Sequence, residues 1–95
     1  MCVICSAKFH FYIPACRSLK QKRSIIKPMV LRLHREFNIS VSEIEKLDVW
    51  NEAIIICAHT SNDRDFSYSY MQRIQSFIET NFRNTDLLDT KVEII

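Results

Sequence analysis

The sequence predicts an α+β protein with a ferredoxin-like fold: element order βαββαβ, a four-stranded antiparallel sheet and two helices on one face of it. Alternating apolar residues at 2–13 and apolar runs at 53–60 and 87–95 indicate strands. Two segments with apolar residues at helical spacing lie between them. Two β-α-β units in this order make a split βαβ sheet. The chain is short enough that residues 1–95 are expected to form one domain.

Local signals place the first strand and helix. Pro14 ends the strand, and Ser18 followed by Gln21 forms a capping box that begins the helix. Pro28 lies well inside the helix and is expected to kink it or split it in two, because proline lacks a backbone donor and clashes with the preceding turn. The apolar stripe of this helix consists of Leu19, Ile26, Met29, Val30, Leu33 and Phe37.

The second half of the chain repeats the pattern. Residues 39–47 are charged and predict an edge strand, whereas 53–60 are almost wholly apolar and predict a central strand. Ser61 or Asn62 is expected to cap the second helix, which has aspartates in its first turn. Its apolar stripe consists of Met71, Ile74, Phe77, Ile78 and Phe82, and the last strand follows at 87–95.

The composition excludes several kinds of chemistry. The chain has no glycine, so it cannot build a P-loop, a dinucleotide-binding turn or a nucleophile elbow. His10, His34 and His59 have no nucleophile or acid at a recognisable spacing. We therefore expect a protein that is not an enzyme and needs no cofactor.

The cysteines raise the question of a metal or redox site. Cys2 and Cys5 form a C-x-x-C, but in a strand residues three apart point to opposite faces, and no second ligand pair completes a zinc site. Buried or incidental thiols are the favoured interpretation, and no metal is expected.

The N-terminal segment gives no sign of export or membrane insertion. It is apolar, but it lacks a basic region before it and a small-residue cleavage site after it, and no apolar run approaches the length of a bilayer span. The sequence therefore predicts a soluble, cytoplasmic protein.

Charge is distributed unevenly along the chain. Residues 1–35 carry eight Lys and Arg and no acid, a balance of +8, while residues 36–95 carry five Lys and Arg and all 11 carboxylates, a balance of −6. Such a basic pole favours phosphate-bearing partners, so RNA or the ribosome is the leading predicted partner. The residues predicted to bind anions or nucleic acid are Arg17, Lys20, Lys22, Arg23 and Lys27.

Two other interpretations of this charge stay open. The basic face could be solvated and balanced by the acids of the protein itself, or it could serve a small ligand or an acidic protein in a dimeric interaction module. Base recognition of the kind seen in RRM domains is not expected, because the strand at 53–60 has no aromatic residue.

Apolar residues are also expected on the face of the sheet away from the helices. If Ile55 and Cys57 face the helices, the opposite face carries four residues that predict a homodimer interface. The reverse orientation is possible, because both faces of this strand are apolar. Trp50 is expected to be a core or interface anchor. The possible interface residues are Ile4, Tyr12, Ile54 and Ile56.

Four stretches carry a family pattern, at Pro14–Arg23, Phe37–Val41, Asp48–Trp50 and Ser61–Asp63. Through them the chain resembles, nearly end to end, the YlxP-like family of small bacterial proteins of unassigned function; P-x-x-R-S-L-K-x-K-R is the most specific piece. Tyr12 and Ala15 stand where the family usually has His and Gly, so no role of that His is carried over. The resemblance implies a ferredoxin-like fold and genes beside those of translation and ribosome maturation, but no activity.

Overall fold

A computed structural model describes residues 1–95 and contains six regular elements. The sheet has the strand order β2-β3-β1-β4, and all neighbouring strands are antiparallel. This is the predicted ferredoxin-like arrangement, which is confirmed. Neither helix is long and apolar enough to cross a membrane. The elements are β1 (Val3–Tyr12), α1 (Leu19–Glu36), β2 (Ser40–Glu45), β3 (Glu52–Ser61), α2 (Arg64–Asn81) and β4 (Asp86–Ile94).

One core lies between the sheet and the two helices. In the register of β1 and β3, Ala7 pairs with Cys57 and Phe9 pairs with Ile55, and all four side chains are buried in this core. The expected orientation of the central strand is therefore confirmed: Ile55 and Cys57 face the helices. The helices contribute mainly Ile26, Met29 and Leu33 from α1 and Met71, Ile74 and Ile78 from α2.

Helix α1 begins as predicted but is not divided by its proline. The Ser18 Oγ accepts from the Gln21 N–H at 3.1 Å, and the Gln21 Oε1 accepts from the Arg17 N–H at 2.8 Å. The expectation that Pro28 splits the helix is wrong, because α1 runs unbroken from Leu19 to Glu36. Pro28 points to solvent, and buried residues on both sides of it hold the two halves of the helix against one sheet.

Helix α2 begins one residue later than expected. Asp63, not Ser61 or Asn62, is the N-cap: its side chain accepts from the N–H groups of Asp65 at 2.9 Å and Phe66 at 3.4 Å. Ser61 is the last residue of β3, and its hydroxyl accepts from the Asp63 N–H at 3.2 Å. The carboxylate of Asp63 therefore takes over the free donors of the first turn.

The β2–β3 hairpin contains the least regular backbone of the chain. Lys46 follows the end of β2 and has a φ of 58°, a left-handed conformation that a chain without glycine must give to another residue. Trp50, in the same turn, is 45% exposed, so its expected place in the core is wrong.

Candidate anion-binding surface

The exposed cations before and along the first half of α1 form the candidate site. Arg17 precedes the helix, and Lys20, Arg23 and Lys27 lie on it. All four side chains are exposed, and none of them forms an ion pair or a side-chain hydrogen bond with the rest of the protein. Their charge is therefore not neutralised by carboxylates of the same chain.

Three of these cations follow one flank of the helix. Lys20, Arg23 and Lys27 recur at the spacing of a helical face, and at 1.5 Å rise per residue they span about 10 Å. We call these three residues the basic ridge. The first turn of α1 contains no acid, although a helix N-terminus carries a partial positive charge that favours anions. Cations at this end are unfavourable for the isolated helix, and a bound anion would relieve the repulsion.

Lys22, which the sequence placed in the same anion-binding set, is buried. Only 2% of its surface is exposed, and its Nζ donates to the carbonyl oxygens of Lys46 and Val49, each at 2.7 Å. Glu43 Oε2 lies 2.7 Å from the same nitrogen as an ion-pair partner, although the contact lacks the angles of a hydrogen bond. The ammonium has no free side for an external phosphate, so we omit Lys22 from the candidate site.

The role of Lys22 is to hold the β2–β3 hairpin onto α1. Its ammonium binds the carbonyl of the left-handed Lys46 and that of Val49, so it satisfies acceptors that the turn leaves free. The sequence contained a signal for this, because Lys22 lies three residues after Leu19 and four before Ile26, in the gap of the apolar stripe.

A groove lies between the basic ridge and the edge strand β2. It has a volume of about 400 Å³, with apolar walls from both elements and with Arg23 and Lys27 on the helix side. This groove was not anticipated from the sequence, because it depends on which flank of α1 turns towards β2. The other lining residues are Ile26, Val30, Val41, Ser42 and Glu43.

The predicted interface residues all lie on the sheet face away from the helices. Ile4 and Tyr12 are 40% and 37% exposed, and Ile56 is half-buried. Ile54 is only 6% exposed within the protomer, so it offers little surface to a partner. The structure thus brings the four residues to one face but leaves three of them accessible.

Ion pairs surround these apolar residues. Lys8 Nζ donates to Glu45 Oε1 at 2.8 Å, and His10 Nε2 lies 2.7 Å from Glu52 Oε1. The hydrogen bond from Lys8, together with its charge, lowers the pKa of the Glu45 carboxyl. The open face of the sheet is therefore mixed in character, with a narrow apolar centre between charged pairs.

Three of the four cysteines are buried, and His59 is partly buried against helix α2. His59 stacks on Tyr70 with a centroid distance of 4.8 Å, and burial lowers the pKa of this histidine. Burial raises the pKa of the Cys5 thiol and raises the pKa of Cys57 to about 12, whereas Cys2 is exposed just before β1. The structure has no group of three or more His, Cys, Asp or Glu side chains that could hold a metal ion.

The fold and these surfaces define a class: an α+β protein with a ferredoxin-like sheet and an unneutralised cationic surface at its first helix. Residues 4–92 match the family described as "Protein of unknown function (DUF503)", and the chain belongs to this family. It is 35% identical over 63 residues to the uncharacterized protein YlxP of Bacillus subtilis (strain 168), an alignment that covers 66% of this chain and 68% of that protein. The resemblance to the YlxP-like family is confirmed.

Among solved structures, the chain is similar to the de novo designed protein Foldit4. The TM-score is 0.54 and the sequence identity 16%, with 100% of this chain and 97% of that chain covered. At this identity the likeness shows the fold alone.

Proposed function

We propose that this is a non-enzymatic cytoplasmic protein that associates with RNA or the ribosome by binding phosphate backbone. Arg17, Lys20, Arg23 and Lys27 make the contacts. One observation supports this most directly: these four exposed cations are unpaired, they lie just before and along the first half of α1, and the first turn of that helix has no acid.

The surface suits backbone phosphates better than bases. The ridge is about 10 Å long, enough to meet neighbouring phosphates along a strand, and positively charged side chains supply most of the affinity in sequence-independent binding. Strand β3 has no Phe, Tyr or Trp on which a base could stack, and its histidine, His59, packs against Tyr70 of α2. Recognition by shape and charge, with modest sequence preference, is the expected outcome.

The test is a titration of a labelled structured RNA at several salt concentrations, together with ribosome co-sedimentation at two of them. If each of four phosphate contacts contributes a slope of roughly 0.7 to 0.9, the affinity should fall with a log–log slope of about −3. Lys20→Glu combined with Arg23→Glu should abolish binding while the protein stays folded, since both side chains lie outside the core.

A matched control makes the result specific. Arg64→Glu with Arg73→Glu changes the net charge by the same amount, but on the exposed surface of α2, and should preserve most of the affinity. Unchanged RNA affinity in the folded Lys20 and Arg23 double variant would contradict the proposal.

The second candidate function is a dimeric small-ligand or protein-interaction module. It is favoured by the apolar residues on the open face, where Ile4, Tyr12 and Ile56 remain accessible. A second copy placed face to face would cover them, and the basic ridge would then serve an anionic metabolite or an acidic partner.

Ile56→Lys tests this candidate by placing a charge at the centre of the open face. If the face is a homodimer interface, sedimentation should show a folded monomer in place of a dimer. Ile54→Lys is less informative, because Ile54 is buried within the protomer and its substitution also threatens the fold. A wild-type chain that is monomeric at high concentration would exclude the face-to-face dimer.

A further inference from the structure

Strand β4 is a free edge of the sheet with its hydrogen-bonding groups directed outward. Its only neighbour is β1, and the Ile95 N–H donates to the Ile4 carbonyl at 2.8 Å. Along an antiparallel strand, the backbone N–H and C=O groups of successive residues point alternately to the two sides. The bond from Ile95 therefore means that the backbone groups of residues 89, 91 and 93 point towards β1. Those of Thr90, Val92 and Ile94 point outward, away from the sheet. Such an edge is a template for pairing with another strand.

The charges along this edge are self-complementary in one regular register. In an antiparallel pair of two β4 strands with the two-fold axis at Val92, Lys91 of each copy lies opposite Glu93 of the other. Thr90 then lies opposite Ile94, and Val92 opposite itself. All these residues lie in the part of β4 that pairs regularly with β1, because the irregularity of the β1–β4 register falls at Leu88.

Neighbouring registers are less favourable. An axis at Lys91 would set Lys91 opposite itself and Asp89 opposite Glu93, which are like-charge pairs. An axis at Thr90 would also pair opposite charges, but it would require the bulged residue Leu88 to join the ladder. The charges and the bulge together select the register centred at Val92.

The other edge of the sheet lacks this property. Strand β2 contains Glu43 and Glu45 and no cation, and its pairing with β3 shifts between these two residues. Two copies of β2 could bring no opposite charges together. Both edges carry charged residues and a bulge, but only the charges of β4 are self-complementary.

The helix flank above β4 is compatible with a second copy. Tyr68, Gln72 and Gln75 of α2 line a groove of about 440 Å³ together with Thr90 and Val92. These three side chains are neutral, so an identical flank could approach without like-charge repulsion. Glu79 also lines this groove but lies towards the beginning of β4, away from Val92, since α2 and β4 run in opposite directions.

We propose that β4 pairs with the β4 strand of a second copy of this chain, about a two-fold axis at Val92, to form a dimer with a continuous eight-stranded sheet. The basic ridge lies on another surface, and edge-to-edge pairing would extend the open face without covering it. The proposal therefore does not rest on RNA binding, and each can fail without the other.

Charge reversal with rescue tests the pairing by sedimentation equilibrium of the full chain. Wild-type protein should dimerise, and Lys91→Glu or Glu93→Lys alone should weaken the dimer about tenfold or more, because each creates two like-charge pairs. The double swap, Lys91→Glu with Glu93→Lys, should restore the wild-type dimer. An equimolar mixture of the two single variants should likewise form a heterodimer.

The fold of these variants is not at risk from the substitutions. Lys91 lies opposite Lys8 in the register of β1 and β4, so Lys91→Glu removes a like-charge neighbour, and its own pair with Glu93 is exposed at 3.2 Å. Lys46→Glu, a charge reversal away from β4, is the matched control and should leave dimerisation unchanged.

A symmetric cross-link provides a second readout. In a Cys2→Ser background, Val92→Cys should form an intermolecular disulfide on oxidation, because paired residues on a two-fold axis lie about 5.5 Å apart at Cα. A wild-type chain that is monomeric at millimolar concentration would overturn the proposal. So would a dimer that tolerates both single reversals and dissociates with Ile56→Lys.

Discussion

The two helices begin with the same capping device but with opposite charge. Both are 18 residues long, and both have a side-chain oxygen at the N-cap, Ser18 in α1 and Asp63 in α2. At the second helical position α1 has Lys20, whereas α2 has Asp65. The negative charge of Asp65 interacts favourably with the positive end of the α2 dipole, whereas the positive charge of Lys20 is repelled by that of α1. The charge of α1 is therefore explained by something other than helix stability.

Within α1 itself, neighbouring cations have different roles. Lys22 is buried and bound to three internal oxygens, while Lys20 and Arg23 on either side of it are exposed and unpaired. All three residues are cations, so their charge does not show which of them is buried. Their position relative to the apolar stripe does show it. Three groups of substitutions near the beginnings of the two helices test the comparison.

Substitution of Lys22 should have the largest effect. Lys22→Met should lower the free energy of unfolding by about 3 to 5 kcal/mol, because it leaves the Glu43 carboxylate and two turn carbonyls without their partner. Urea denaturation measures this change. Lys20→Met is the matched control on the same turn, and it should change the stability by less than about 0.5 kcal/mol.

If Lys22→Met lowers the free energy of unfolding no more than Lys20→Met does, the Lys22 ammonium is not bound inside the protein. Lys22 would then be returned to the set of exposed cations that could bind an anion. The double variant Lys22→Met with Glu43→Leu should regain part of the stability, since it removes the uncompensated charge as well.

Loss of either N-cap side chain should lower the free energy of unfolding by less than Lys22→Met does, and by a similar amount in the two helices. Asp63→Ala and Ser18→Ala should each reduce the stability by about 1 kcal/mol, because each side chain accepts from backbone N–H groups of the first turn. Thermal unfolding of the two variants beside Asn62→Ala, an exposed neighbour outside the cap, measures it. If the two variants lose the same stability, the two caps are equivalent and the helix beginnings differ only in their charges. If Asp63→Ala leaves the stability unchanged, Asp63 is not the N-cap of α2.

Much of the fold could be predicted from local patterns. Alternation fixed the core face of β1 from Val3 to Phe11, and the capping box at Ser18 gave the beginning of α1, because these signals depend only on neighbouring residues. The cap of α2 was misplaced because Ser61, Asn62 and Asp63 are all good cap residues, and β3 extends to Ser61. Pro28 was expected to kink α1 or split it in two; the split is wrong, because tertiary packing on both sides of Pro28 keeps the helix continuous.

The candidate site was less predictable for a physical reason. From sequence alone, a lysine in a helix is predicted to be exposed, because its hydrogen-bond acceptors elsewhere in the fold are not known. The acceptors of Lys22 lie in the β2–β3 hairpin, more than 20 residues further along the chain. The four remaining cations need no partner in the fold, so their charge and their position in the segment of the first helix were enough to identify them. The groove beside β2 depends on the rotation of α1 about its axis, which the apolar stripe sets only approximately.

An exchange of charge at the second helical position should have the smallest effect and bears most directly on the comparison. Lys20→Asp should stabilise the protein by about 0.3 to 1 kcal/mol, and Asp65→Lys should destabilise it by a similar amount, with both changes shrinking as salt is added. Chemical denaturation at low and high ionic strength measures them. A loss of stability in Lys20→Asp would mean that this lysine has an internal partner. A gain in stability accompanied by weaker RNA binding would mean that the chain keeps Lys20 at the expense of helix stability because an anion binds there.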